Sequence, residues 1–160
     1  MSFTFGSSYN LVKPEGTQLS RDAKEYLDKV MEKMIDNITS VAAKDADTYK
    51  IVTLAPKQFK VAVSGVLSGQ KIADAVVGSG TEAVVKYTSS KSSGDGKRIP
   101  TQKRAGLTLL VSRVRSAIRA NAGRKRVGPT AHIFLTGCLE YFLVELFAAA
   151  KKTMKSKKRF

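Results

Sequence analysis

The sequence predicts an all-α fold. Apolar residues recur at i, i+3 and i+4 through two long stretches, shorter amphipathic runs accompany each of them, and β-type residues gather only in the brief "YKIVTL". With 160 residues, 42% of them hydrophobic, there is apolar material for one domain or two very small ones.

In "LSRDAKEYLDKVMEKMIDNITSVAAK", Ala23, Tyr26, Leu27, Val30, Met31, Met34, Ile35, Ile38, Val41 and Ala42 form one stripe with charges between them. Ser20 is the expected N-cap, and the helix is predicted to run to about Asp47, a length of roughly 40 Å. "YKIVTL" follows as an extended strap. Pro56 opens a short helix that stops near Gly69. "QKIADAVVGSGTEAVVKYTS" is a further amphipathic helix, with an interruption expected around Gly78 and Gly80. "SSKSSGDGKRIPTQK", Ser89 to Lys103, concentrates Ser, Gly and Pro without an apolar period and is predicted to be a tether. Beyond it, "LTLLVSRVRSAIRA" makes a short helix with Leu107, Leu110, Val111, Val114, Ala117 and Ile118 on one face. "NAGRKRVG" is a basic loop. "PTAHIFLTGCLEYFLVELFAAAKK" is a second long helix, capped at Thr130 and apolar around most of its circumference, so burial between other helices is expected. It leads into "KKTMKSKKRF".

Charge is placed unevenly. Residues 1–89 carry 11 basic and 10 acidic side chains, whereas residues 90–160 carry 17 basic and 3 acidic, within a formal net charge of +15. From Arg104 to Gly128 there are six arginines and one lysine and no carboxylate. A face so uncompensated calls for an anionic partner, nucleic acid or an anionic surface. The lone Cys138 excludes an internal disulfide and fits a reducing compartment. The start, "MSFTFGSSYN", does not read as a secretory signal, and no window is expected to be apolar enough to span a bilayer. A cytosolic or nuclear protein is expected.

The order of short helix, basic loop and long helix comes with specific residues. "KRAGLTLLVSRVRSAIRANAGRKRVGPTAHIFLTGCLEYFLVEL" resembles histone type 2A through RAGL, V.RV, the RVG after the loop and LEY..VE. "VVGSGTEAVVKYTSSK" is similar to the C-terminal helix of histone type 2B, and from Leu19 to Lys91 the element order matches that histone. Two histones in one polypeptide, 2B then 2A, resemble the histone doublets of giant DNA viruses infecting amoebae. The resemblance implies two histone folds, residues 1–88 and 104–160 joined by linker 89–103, paired as an intramolecular heterodimer. Both are expected to be incomplete. The first has only "SSYNLVKPEG" where most of a first helix should stand, and the second stops at Phe160, before its last short helix and docking segment.

The implied function is structural: non-specific wrapping of duplex DNA in a nucleosome-like particle, as histone octamers do, without cofactor or small-molecule substrate. The implied partner is a histone 4–histone 3 pair or doublet, and the place is the chromatin of a nucleus, viral factory or virion. Carried over residue by residue, Arg113, Arg119 and Arg126 match arginines at the DNA backbone, and Arg115 can serve where Ser116 replaces another. Arg104, Arg124, Lys125 and Val127 complete this basic set, with backbone amides near Gly128 able to approach phosphate. In the first half, Ser20, Arg21, Lys50, Val52 and Thr53 match backbone-contacting positions, with Ile51 where a basic residue is expected. Lys158 and Arg159 either touch DNA, belong to an import signal or simply keep the protein soluble. Tyr49, Phe59, Val63 and Val66 are assigned to an apolar flank facing histone 4. Glu140 and Glu145 are what remains of the family's acidic patch, since Ala148, Lys71 and Ser79 stand where it has glutamate.

Enzymatic chemistry finds little footing. His132, the only histidine, is expected to be a satisfied structural residue one turn into the apolar helix, and Cys138 a packing residue. Asp22, Glu25, Asp28, Glu32 and Asp36 alternate with lysines as a solvated face, not as metal ligands. Rival readings are a histone-fold transcription subunit that reads bases and an RNA-binding basic protein preferring structured RNA. A membrane-surface protein ranks last, because there is no Trp and the Phe residues fall within apolar stripes.

Overall fold

The computed structural model describes residues 5, 9, 19–67, 72–89, 101–123 and 125–157, without the side chains of 101, 102 and 151–157. Helix α1 (Arg21–Thr48) begins where Ser20 Oγ accepts the Ala23 N–H at 3.0 Å, the predicted cap. It ends as Tyr49 donates back to the Asp45 carbonyl and Lys50 turns the chain with φ +56°. Leu27, Met31, Ile35, Ile38, Ala42 and Ala46 are its buried stripe, while Tyr26 and Val41, assigned to that stripe from spacing, lie at its edge and are exposed. Strand β1 (Thr53–Leu54) leads to α2 (Pro56–Val66), which is started by Pro56 and by Gln58 Oε1 accepting the Ala55 N–H at 2.8 Å. Then come α3 (Ala73–Ser89), the single turn α4 (Thr101–Arg104), α5 (Val111–Asn121), β2 (Arg126–Val127) and α6 (Ala131–Lys157).

The all-α class holds, and one core is shared by both halves of the chain. Met31, Ile35, Ile38 and Phe59 cluster with Phe134, Leu135, Leu139 and Leu143. Each such side chain contributes about 1.5–3 kcal/mol on burial, so neither half can close without the other. The straps reinforce the pairing. β1 and β2 run parallel with Thr53 opposite Arg126 and Leu54 opposite Val127, and the Gly128 N–H donates to the Leu54 carbonyl at 2.8 Å. Asn121 Nδ2 donates to Asp36 on α1, and Lys125 Nζ bridges Asp47 at 2.7 Å and the Ile51 carbonyl. A protease site placed at Gly94–Gly96 should therefore, once cut, leave two pieces that co-elute on a sizing column at micromolar concentration. Two separate peaks would contradict the shared core.

Several sequence expectations change. Helix α3 is not interrupted at Gly78 and Gly80, because Gly80 faces Gly137 where α3 crosses α6. A Cβ on Gly80 would lie 2.6 Å from Cys138 Sγ and 2.7 Å from the Phe134 carbonyl, and one on Gly137 would lie 2.9 Å from the Ser79 carbonyl. The glycines permit close approach of two backbones instead of breaking a helix. The short helix predicted from Leu107 starts at Val111, since Thr108 donates its N–H to Glu140 Oε1 at 3.0 Å and Leu109 turns into the core. Of the predicted tether, Ser89 closes α3 and Thr101–Lys103 are helical, while 90–100 lie outside the described residues. The window Ala131–Ala150, with hydropathy 1.7, is after all long and apolar enough to cross a membrane by composition. Half of it is buried inside the fold, the mark of a core helix in this packing.

Residues passed over by the sequence reading also enter the core. Phe5 and Tyr9 are fully buried and meet edge-to-face with ring centroids 5.8 Å apart. The Phe5 N–H and the Tyr9 hydroxyl both donate to Asp28 Oδ1, at 3.2 and 2.6 Å. Burial, then this hydrogen bond and the carboxylate's charge, push the Tyr9 phenol well above its ordinary range. Asp28, expected on a solvated face, is thus a buried-side acceptor.

Candidate nucleic-acid interface

The basic set divides by geometry. Arg113, Arg115 and Arg119 ride on the outer face of α5, because its apolar stripe Val111, Val114 and Ile118 is turned into the core. Arg126 is exposed at the strap, beside half-buried Val127, whose side chain packs onto the core. Through the β1–β2 pairing, Lys50, Val52 and Thr53 of the first half, all exposed, come to the same strap as Arg126. Among the described residues, Arg113, Arg115, Arg119 and Arg126 have no carboxylate at ion-pair distance. Their charge is left for a partner.

Other members of the predicted set are committed elsewhere. Lys125 has only 17% of its side chain exposed and is held by Asp47 and the Ile51 carbonyl, so it joins the halves. Arg104 stacks on the Tyr87 ring at 4.1 Å and donates to the Tyr87 carbonyl at 3.0 Å, clipping α4 to the end of α3. Ser20 and Arg21 stand at the opposite end of the 28-residue α1 from Lys50, roughly 40 Å away, so they do not share the strap. Arg21 is exposed and pairs loosely with Glu25 at 3.5 Å. Arg124, Lys158 and Arg159 lie outside the described residues.

The flank assigned to a protein partner divides by burial. Tyr49 and Val66 are 69% and 41% exposed, but Phe59 and Val63 are buried at 0% and 1%, because their side of α2 packs on α1. Val61, not singled out in the sequence, is exposed and lines a groove of about 390 Å³ with Tyr49, Ile51, Lys57 and Gln58. Its signal was available: α2 carries more valines than one stripe can bury.

The acidic remnant is also engaged. Glu140 holds the Thr108 N–H, and Glu145 accepts from Tyr141, whose phenol is raised by desolvation, then by this hydrogen bond and charge. Both Glu140 and Glu82 line a groove of about 250 Å³ with Leu107, Tyr141 and Val144, but Glu82 is paired with Lys86 at 3.1 Å.

Cys138 packs under Gly80, and burial pushes its thiol up to about 12, so it is chemically quiet. His132 departs from expectation. It is 7% exposed, yet its Nδ1 has no hydrogen-bond partner. Burial, then repulsion from Arg115 and Arg119, lowers its pKa to about 4. The unfolded chain takes a proton on this histidine below about pH 6.5 and the folded protein only near pH 4, so stability falls as pH drops through that window. A loss on the order of 2 kcal/mol between pH 7 and pH 4.5 is expected from this group. The check is denaturant midpoints across pH, in which His132→Gln should show a shallower acid loss. Among the described residues no cluster of three or more potential metal ligands occurs.

No family model matches the sequence. Individual proteins do. The chain is 31% identical over 115 residues, 68% of its length, to a Melbournevirus histone doublet that joins histone 2B to histone 2A. It is 44% identical over 63 residues, 38% of its length, to a Dictyostelium discoideum variant of histone 2A. To the Z form of histone 2A from Saccharomyces cerevisiae it is 37% identical over 70 residues, 43% of its length. It spans 42%, 22% and 52% of those proteins' own lengths.

Proposed function

Because the chain is a histone-like protein of the doublet type, with a 2B-like half followed by a 2A-like half, we propose that it packages duplex DNA without reading its sequence. The observation that carries this reading is the strap pairing, which brings Lys50, Val52 and Thr53 beside Arg126, while α5 presents Arg113, Arg115 and Arg119 with no competing carboxylate among the described residues. Such a surface neutralises phosphates, and its binding is set by counterion release and by the ease of bending the duplex.

The finer reading is a nucleosome-like particle completed by a histone 4–histone 3 pair or doublet, in nuclear or viral-factory chromatin. The exposed Tyr49 and Val61, which line the groove, and the exposed Val66 form the apolar surface offered to that partner. Co-refolding with such a pair on duplex DNA should give a discrete nuclease-protected fragment. A smear without a protected band would reject the particle while leaving simple DNA coating open to affinity measurement, and preference for structured RNA over duplex DNA would reject both.

A further inference from the structure

Among the described residues, Lys50 is the one non-glycine whose backbone enters the left-handed region, at φ +56°. A lysine in that region is strained, and it keeps the shape only where its surroundings fix the chain on either side. The other half of the protein supplies that fixation. Lys125 Nζ meets Asp47 Oδ1 at 2.7 Å, ahead of Lys50 in the turn, and donates to the Ile51 carbonyl directly after it. One ammonium thus spans the turn from end to end. Inside the turn, the Lys50 N–H donates to the Asp47 carbonyl at 3.2 Å and the Ile51 N–H to the Ala46 carbonyl at 2.8 Å. Packing does not hold this corner. A groove of about 520 Å³ opens here, walled by Ala43, Val52, Ala122 and Gly123 together with Asp47 and Lys125, and a Cβ on Gly123 would meet nothing within 4 Å. The contact between the straps begins only at Val52, whose carbonyl accepts the Arg126 N–H at 2.9 Å, so the turn that carries Lys50 lies outside it.

We propose that Lys125 is a positioning residue for duplex binding, which clamps the turn 47–51 so that Lys50 of the first half and Arg126 of the second address the same stretch of phosphates. The proposal rests on the DNA-binding reading and deepens it: a cation that does not itself touch phosphate decides what another cation can reach. Burial separates the two roles. The Lys125 side chain is largely buried and its ammonium is spent inside the protein, whereas Lys50 and Arg126 are exposed. Fixing the backbone of Lys50 in advance removes freedom that phosphate binding would otherwise have to remove. The clamp also silences a charge. Asp47 is exposed at this end of α1 and would repel phosphate, and Lys125 neutralises it at contact distance.

The test asks what Lys50 contributes with the clamp present and with it broken. Affinity of the full chain for a mixed-sequence duplex is measured at about 0.15 M salt, with and without Lys50→Ala, in the native, Lys125→Met, Asp47→Asn, Lys125→Arg and Asn121→Ala backgrounds. Natively, Lys50→Ala should weaken binding about fivefold, the contribution of one phosphate contact. With Lys125→Met or Asp47→Asn that cost should fall below about twofold. Lys125→Arg, which can still bridge a carboxylate and a carbonyl, should restore most of it. Asn121→Ala removes a different polar link across the seam, the one to Asp36, and should leave the cost intact, so general loosening of the halves does not imitate the effect. Asp47→Asn keeps every cation and the side-chain shape, and it answers for the clamp if Lys125→Met does not fold. In the unbound protein, hydrogen exchange at the Ile51 amide should quicken on the order of tenfold in Asp47→Asn, with Gly128 unchanged. An unchanged Ile51 rate overturns the clamp whatever the duplex does. A Lys50→Ala cost that is absent natively, or that stays fivefold in both clamp variants, overturns the positioning role and leaves the DNA reading standing. Asp47→Asn that binds more tightly with that cost unchanged also overturns it, because Lys125 is then a phosphate ligand that Asp47 withholds. Duplex that fails to bind the native chain overturns the DNA reading and this role with it.

Discussion

Replacing Gly137 or Gly80 by alanine is expected to cost the fold about 3 kcal/mol each, although alanine is the better helix former by up to ~1 kcal/mol. The reason lies in what the new methyl group meets. At Gly80 it would press on Cys138 Sγ, which can rotate, but also on the Phe134 carbonyl at 2.7 Å, which belongs to a helix backbone and cannot. At Gly137 it would press on the Ser79 carbonyl and on Gly80 Cα at 3.1 Å, again backbone. Relief requires α3 and α6 to move apart, and with them the seam between the two halves of the core. Gly65 and Gly78 provide the control, because a Cβ at either has nothing within 4 Å. Alanine there should be neutral or stabilising. Chemical denaturation of the four variants decides the matter: equal midpoints for Gly80→Ala and Gly78→Ala would mean that the helices do not approach as described.

The combined loss of Arg113, Arg119 and Arg126 should weaken duplex binding by more than a hundredfold at about 0.15 M salt, because each phosphate contact contributes roughly fivefold there. Each single alanine should lower the salt dependence by about one unit of slope, alike on all sequences. Arg126→Ala should additionally loosen protected DNA near the strap, where Lys125 cannot substitute because Asp47 and the Ile51 carbonyl hold it. Lysine at position 126 should restore only part of the loss, since it carries charge without the planar fork. Affinity measured over a salt series on several unrelated duplexes is the test. A loss confined to one sequence would point to base readout, and no loss would return these arginines to solubilising surface charge.

Much of this was legible in the residues, for definable reasons. Helix positions follow from periodicity, so α1 was readable to within a residue of Thr48, and Ser20 announced its start. The outward direction of Arg113 and Arg119 was fixed by the same arithmetic, because the apolar stripe of α5 leaves them nowhere else to point. What spacing cannot show is which groups meet across long separations. Lys125 reads as one more cation until Asp47 is placed beside it, and Glu140 as a surface acid until Thr108 is. Phe5 and Tyr9 lie in a short context without period, and their burial shows only once the core and the shared carboxylate of Asp28 are in place. Gly80 and Gly137 are ambiguous in one dimension, since a glycine in a helix reads as a break until the second helix is seen to press on it. His132 reads as satisfied only on the expectation that burial brings a partner, and here it does not.

The seam that unites the halves also sets a timetable for synthesis. Asn121 and Asp36, which meet across it, are separated by 85 positions along the chain. At 5–20 residues per second a ribosome needs roughly 4–17 s to deliver the second after the first. During that interval the apolar stripe of α1 has emerged without α6, the helix that will cover it. The nascent first half therefore faces solvent with Met31, Ile35 and Ile38 uncovered, a natural client for chaperones that shield apolar segments. A slow or stalled translation of the region after residue 100 should send this protein toward aggregates, while a split gene expressing both pieces together should escape that delay.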